Sequence, residues 1–179
     1  PQGFYASFVA IYQIWNILNR FMLRHDPDAD TSGHIRPVQV LDMLSTIDRI
    51  GAQTYCEIGF NGGHSAAAIL AARPHMNVYS FDIAEHVYTN ANAAFLKHAH
   101  PDNFEFIRGD SMLTVRQYAQ SILQGKCDIM FVDGSHSVQA VLYDIMHLAP
   151  AASAHHVLYI DDTVCLDWKC FVSSVTYGW

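Results

Sequence analysis

The stretch Tyr55–Ser65, reading Tyr-Cys-Glu-Ile-Gly-Phe-Asn-Gly-Gly-His-Ser, limits the fold more than any other part of the chain. An apolar run ends at an acid. Three glycines then fall within five residues, and small residues follow at helical spacing through Ala72. This predicts a buried strand, a tight glycine turn and a helix N-terminus, the arrangement by which α/β proteins cradle nucleotide-like ligands.

The chain downstream repeats that unit. Apolar strands are expected near 54–58, 77–82, 104–108, 128–133 and 157–161, and helices near 63–72, 85–98, 112–123, 137–148 and 163–175. Such alternation implies a parallel sheet covered on both faces, a doubly wound α/β fold. Upstream, residues 4–23 form the most apolar window. Gln13, Asn16, Asn19 and Arg20 draw a polar stripe along it, so it reads as an amphipathic helix and not a membrane span. Such a helix packs on the domain or on a second subunit, making it a candidate homo-oligomer contact, or alternatively lies on a membrane surface. Residues 25–33 are a polar loop. Pro37 suits the first turn of a helix that Gly51 ends. The division is therefore an N-terminal helix and linker (1–34) followed by a ligand-binding domain (35–179).

With 179 residues, 51% of them hydrophobic, the chain can bury a core without disulfides. Its four cysteines, Cys56, Cys127, Cys165 and Cys170, include no Cys-x-x-Cys pair. They read as free thiols of a reducing compartment, hence a cytoplasmic setting. The formal charge is −7 with only 10 Lys and Arg, and no basic cluster exists to hold a nucleic-acid backbone.

Each expected strand delivers a carboxylate to the same edge: Glu57, Asp82, Asp110, Asp133 and the pair Asp161-Asp162. Asp and Gly start many loops, but acids at five successive strand ends, on the edge where α/β sheets bind ligands, exceed ordinary turn chemistry. Asp82 suits bidentate bonding to ribose hydroxyls or, alternatively, an N-cap. Asp110 and Ser111 suit an N-cap or a ligand contact on the same edge. Asp133, Asp161 and Asp162 read as solvated carboxylates capping loops or, if their two strands are neighbours, as acids that repel one another at the strand ends. A hard divalent cation such as Mg²⁺ resolves that repulsion with all-oxygen ligands. His136, three residues beyond Asp133, is placed to take a proton from a hydroxyl or to orient it.

A dinucleotide fingerprint needs glycines where this chain has Asn61 and His64. The pattern Glu57-x-Gly59-x-Asn61-Gly62-Gly63 instead resembles the first motif of class I S-adenosylmethionine-dependent methyltransferases. Together with Phe81-Asp82, Gly109-Asp110-Ser111, Val132-Asp-Gly-Ser-His136 and Ile160-Asp-Asp-Thr163, it resembles the metal-dependent O-methyltransferases of the macrocin and catechol groups. The resemblance implies a Rossmann-like methyltransferase fold whose C-terminal antiparallel strand pair is missing or shortened here. It implies S-adenosylmethionine and Mg²⁺ as cofactors and a small-molecule hydroxyl substrate, a sugar diol or a catechol. The cofactor contacts it implies are Glu57, Gly59, Asn61, Gly63, Ser65, Asp82, Asp110, Ser111 and Asp133. The implied metal ligands are Asp133, Asp161 and Asp162, with His136 as general base. Two alternatives are a non-catalytic cofactor-binding domain and a nicotinamide-dependent oxidoreductase.

Overall fold

The computed structural model describes residues 2–31, 35–135, 137–161 and 177–178, with side chains described from residue 6 to 161 within those limits. The described elements run in order α1 (Gln2–His25), α2 (Pro37–Ile50), β1 (Thr54–Ile58), α3 (His64–Ala72), β2 (Asn77–Asp82), α4 (Thr89–Ala99), β3 (Phe104–Arg108), α5 (Ser111–Ala119), β4 (Cys127–Val132), α6 (Val138–Leu148), β5 (Ala152–Ile160) and β6 (Tyr177–Gly178). They build one sheet of order β3-β2-β1-β4-β5-β6. The first five strands are parallel and β6 is antiparallel to β5. Where a missing or shortened antiparallel strand pair was expected, the described residues hold one antiparallel strand of two residues.

Strand order reverses between β1 and β4, which are neighbours although β2 and β3 intervene in sequence. Strand side chains alternate between two cores. Tyr55, Ile129, Phe131 and Tyr159 join a cluster with residues of α1 to α4. Cys56, Ile58, Met130, Val132 and Leu158 join a second cluster with Val115 and Ala119 of α5 and Leu148 at the end of α6. Both sheet faces are therefore covered, which is why β1 is buried at every position.

The expected boundaries hold closely for α2. Pro37 occupies its first turn and Gly51 closes it at φ 68°, donating its N–H to Ile47 O. α4 starts later than expected. Asp82 Oδ1 accepts from Ala84 N at 2.6 Å, and Ala84 turns to φ 60°, so residues after β2 form a loop before the helix can begin. β5 begins earlier than expected, and its register with β4 shifts between Cys127 and Ile129. α1 is no detached arm: Ile11, Trp15 and Leu18 belong to the α1–α4 core cluster. No described helix is long and apolar enough to cross a membrane.

The cysteine reading needs correction. Cys56 and Cys127 are joined in a disulfide, with Cα atoms 5.9 Å apart and both residues fully buried. Parallel pairing of β1 with β4 brings together two residues 71 positions apart, a proximity that strand spacing along the chain cannot reveal. No described cysteine is free, which removes the basis for expecting a reducing, cytoplasmic setting. Cys165 and Cys170 lie outside the described residues.

Candidate functional site

The glycine turn is shaped by what it must approach. Gly59 follows β1 at φ 101° and donates its N–H to Phe81 O at 2.9 Å, extending the ladder with β2. A β-carbon on Gly59 would collide with the backbone carbonyl of Asp133. Any other residue would therefore be strained in conformation and in space. Gly63 caps α3 at φ 81° over the ring of Phe60. Asn61 adopts φ 48°, its backbone N–H donating to Asp82 Oδ2 at 2.8 Å and its Oδ1 accepting from Tyr88 at 2.8 Å. The turn is thus held from β2 and from the segment before α4.

Beyond the C-terminal strand ends lies a cavity of about 810 Å³, within the range of small-molecule sites. Gly59, Asn61, Asp82, Asp110, Ser111, Asp133 and Asp161 line it, alongside Glu85, His86, Met112 and Asp144. Its location at the strand-order reversal matches the general rule for ligand binding in doubly wound sheets. Asp82 ends β2, with one carboxylate oxygen holding Asn61 N and the other Ala84 N. Asp110 both lines the cavity and caps α5, its Oδ1 accepting from Met112 N at 2.9 Å. The capping and ligand-facing readings of this residue are therefore compatible.

Asp133 and Asp161 leave adjacent strands directly after the paired residues Val132 and Ile160. Their backbones continue the ladder, Asp133 N donating to Ile58 O at 2.8 Å and Asp161 N to Val132 O at 3.0 Å. Such strands lie about 4.8 Å apart, so two acids open onto one cavity wall. Oxygen donors of this kind suit a hard divalent cation. Asp162 and His136 lie outside the described residues, and among the described residues no group of three metal-ligating side chains converges.

Glu57, Gly63 and Ser65 stand behind the cavity wall and not on it. Glu57 is fully buried and points to the α3 side of the sheet, where three hydroxyls donate to its carboxylate. Ser65 and Tyr55 reach Oε2 at 2.6 and 2.8 Å, and Ser80 reaches Oε1 at 2.7 Å. Burial raises its pKa to about 7 against the lowering effect of those hydroxyls, and it drives the Tyr55 phenol well above its usual range. Glu57 therefore braces β1, β2 and α3 beneath the turn. His64 is likewise inward. Its ring pairs with Asn19 Oδ1 at 2.7 Å and its carbonyl accepts from the Trp15 indole at 2.8 Å, tying α1 to the start of α3.

Asp144 was not expected. It sits on α6 at the same inward spacing as Val141, Ile145 and Leu148, yet lines the cavity. Its pKa is raised by burial, with a hydrogen bond from Ser111 opposing the shift. An acid on the apolar face of an amphipathic helix was the signal that could have found it. Glu85 and His86, in the loop after β2, were also missed; the His86 ring stacks on Tyr88 with centroids 5.0 Å apart.

A family profile described as a methyltransferase domain matches residues 56–163. Among curated proteins none matches this sequence significantly. Solved structures do. An O-methyltransferase from Bacillus cereus in complex with S-adenosylhomocysteine aligns at 15% identity and TM-score 0.66, covering 87% of this chain and 67% of that one. A methyltransferase from Podospora anserina, also bound to S-adenosylhomocysteine, aligns at 19% and 0.65, covering 86% and 62%. An O-methyltransferase from Streptomyces achromogenes involved in tomaymycin synthesis, in complex with S-adenosylmethionine, aligns at 19% and 0.65, covering 82% and 65%. This chain spans about two thirds of the length of these neighbours, and at such identities the likeness is one of fold.

Proposed function

The chain belongs to the methyltransferase-domain family, and from that premise we propose that it transfers a methyl group from S-adenosylmethionine to a hydroxyl of a small molecule, with Mg²⁺ assistance. One observation carries the reading: Asp82, from β2, and Asp133 and Asp161, from β4 and β5, open onto a single cavity. An acid suited to ribose hydroxyls and a pair suited to a hard cation thus share one space.

In this reading Asp82 accepts from the ribose hydroxyls of the donor. The main chain of the Gly59–Asn61 turn lets the donor approach closely, and Asp110 with Ser111 borders its base. Asp133 and Asp161, joined by Asp162, would hold the cation. The donor's sulfonium makes its methyl electrophilic without help from the protein. Bound there, Mg²⁺ would anchor and acidify the acceptor hydroxyl. The chain's own task is then positional, keeping oxygen and methyl in line. His136 receives the hydroxyl proton as general base. Two neighbouring oxygens on the acceptor would suit the cation, which favours a diol or catechol.

Calorimetry with S-adenosylhomocysteine, followed by methylation of a catechol probe with and without Mg²⁺, tests the proposal. Binding of S-adenosylhomocysteine, Mg²⁺-dependent turnover and loss of turnover in His136→Ala are the expected results. Absence of S-adenosylhomocysteine binding would overturn the donor. Turnover that ignores both Mg²⁺ and Asp161→Asn would overturn the metal.

A further inference from the structure

Asp161 is held by a residue that no motif marks. Gln39, in the first turn of α2, donates from Nε2 to Asp161 Oδ1 at 2.9 Å across 122 residues of chain. The other end of the same amide is also engaged, because Gln39 Oε1 accepts from Arg36 N at 2.8 Å. That second bond satisfies one of the unpaired N–H groups at the start of α2. The Gln39 amide is thereby fixed in direction: its oxygen is committed to the helix start, so its NH₂ must face Asp161.

The helix carrying Gln39 is itself fastened to β5, the strand that Asp161 directly follows. Tyr159, two residues before Asp161, donates to Asp42 Oδ2 at 2.9 Å and is 2.9 Å from Thr46 Oγ1. Val40, Met43, Leu44 and Ile47 bury the α2 face in the core. Among the described residues, Asp161 Oδ2 takes no hydrogen bond, while Oδ1 is held by Gln39. One oxygen is thus restrained while the carboxylate lines the cavity.

We propose that Gln39 is a positioning residue that orients the Asp161 carboxylate for a divalent cation, an inference that rests on the metal reading given above. A ligating carboxylate gains affinity when a neighbour fixes its rotation, and loss of such outer partners lowers metal affinity about 10–100-fold. Gln39 touches neither donor nor acceptor in this scheme. It acts only through Asp161.

The test is calorimetric titration of Mg²⁺ into the full chain in the presence of S-adenosylhomocysteine, for the parent, Gln39→Met and Asp161→Asn. S-adenosylhomocysteine affinity and thermal unfolding are measured on the same preparations. Gln39→Met is expected to weaken Mg²⁺ binding roughly 10-fold or more while S-adenosylhomocysteine binds as in the parent. A role confined to capping α2 would lower the unfolding temperature and leave Mg²⁺ affinity alone, which overturns the proposal. If the apolar side chain upsets folding, Gln39→Ser, short and at ease in a first helical turn, gives the same reading. Unchanged Mg²⁺ affinity in Gln39→Met with a loss in Asp161→Asn overturns the role of Gln39 alone. Unchanged affinity in Asp161→Asn overturns the metal site itself.

Discussion

The indole N–H of Trp15 donates to the backbone carbonyl of His64 at 2.8 Å, joining α1 to the residue with which α3 begins. Trp15 is 6% exposed and belongs to the core, so this bond lies in a protected setting. Through it the N-terminal helix supports the glycine turn from behind. Trp15→Phe removes the donor and part of the ring. It should lower unfolding free energy by about 1–3 kcal/mol, read as a shift in urea midpoint with unchanged slope.

Asp82 offers a prediction about the donor alone. Its two oxygens are oriented by Asn61 N and Ala84 N, which leaves further lone pairs for hydroxyls. Asp82→Asn replaces a charged acceptor with a neutral amide and puts an NH₂ where an acceptor stood. Hydrogen bonds to charged groups contribute about 1.5–3 kcal/mol, so S-adenosylhomocysteine should bind roughly 10–100-fold more weakly by calorimetry. Affinity equal to that of the parent would remove Asp82 from the donor site.

Glu57 sets a pH dependence whose sign is opposite to that of a salt-bridged acid. The folded chain keeps its proton up to about pH 7, whereas an ordinary glutamate gives it up near 4.5. Between those values the folded state binds the extra proton, so stability falls as pH rises through this window. Below the window the effect is absent, and above it the cost is constant. The span corresponds to a change on the order of 3 kcal/mol. Glu57→Gln should flatten that decline. The check is the difference in unfolding free energy between the parent and Glu57→Gln, measured from pH 4.5 to 8. A difference that does not vary with pH would contradict the assignment.

The buried Cys56–Cys127 bridge closes a long stretch of chain. Its reduction should lower stability by about 2–4 kcal/mol. Thiol titration in denaturant without reductant should find no more than two of the four cysteines reactive. Four reactive thiols would show the pair to be open.

The parts legible in the sequence were those written in neighbouring residues. Gly59 and Gly63 marked the turn, Pro37 and Gly51 bracketed α2, and the acids at 82, 110, 133 and 161 stood at the ends of apolar runs. The parallel order of strands followed from their alternation with helices. What stayed hidden depends on elements far apart in the chain. The Cys56–Cys127 pair needs β1 beside β4, and the Gln39–Asp161 bond needs α2 laid across the end of β5. Glu57 was legible as an acid after an apolar run but not in its direction. Strand parity places it with Tyr55, toward α3 and away from the cavity. The late start of α4 was hidden because a side chain, Asp82, competes for the backbone there.

Gly59 and Asp133 meet with no side chain between them, because a β-carbon at 59 would occupy the space of the Asp133 carbonyl. One backbone belongs to the turn proposed to hold the donor, the other to the loop that carries the first acid. The gap between those two parts of the cavity is therefore a ruler made of main chain. No rotamer change can lengthen it. Side-chain variation can reshape only the more distant walls, such as Glu85, His86 and Met112, while the spacing at the centre stays the same.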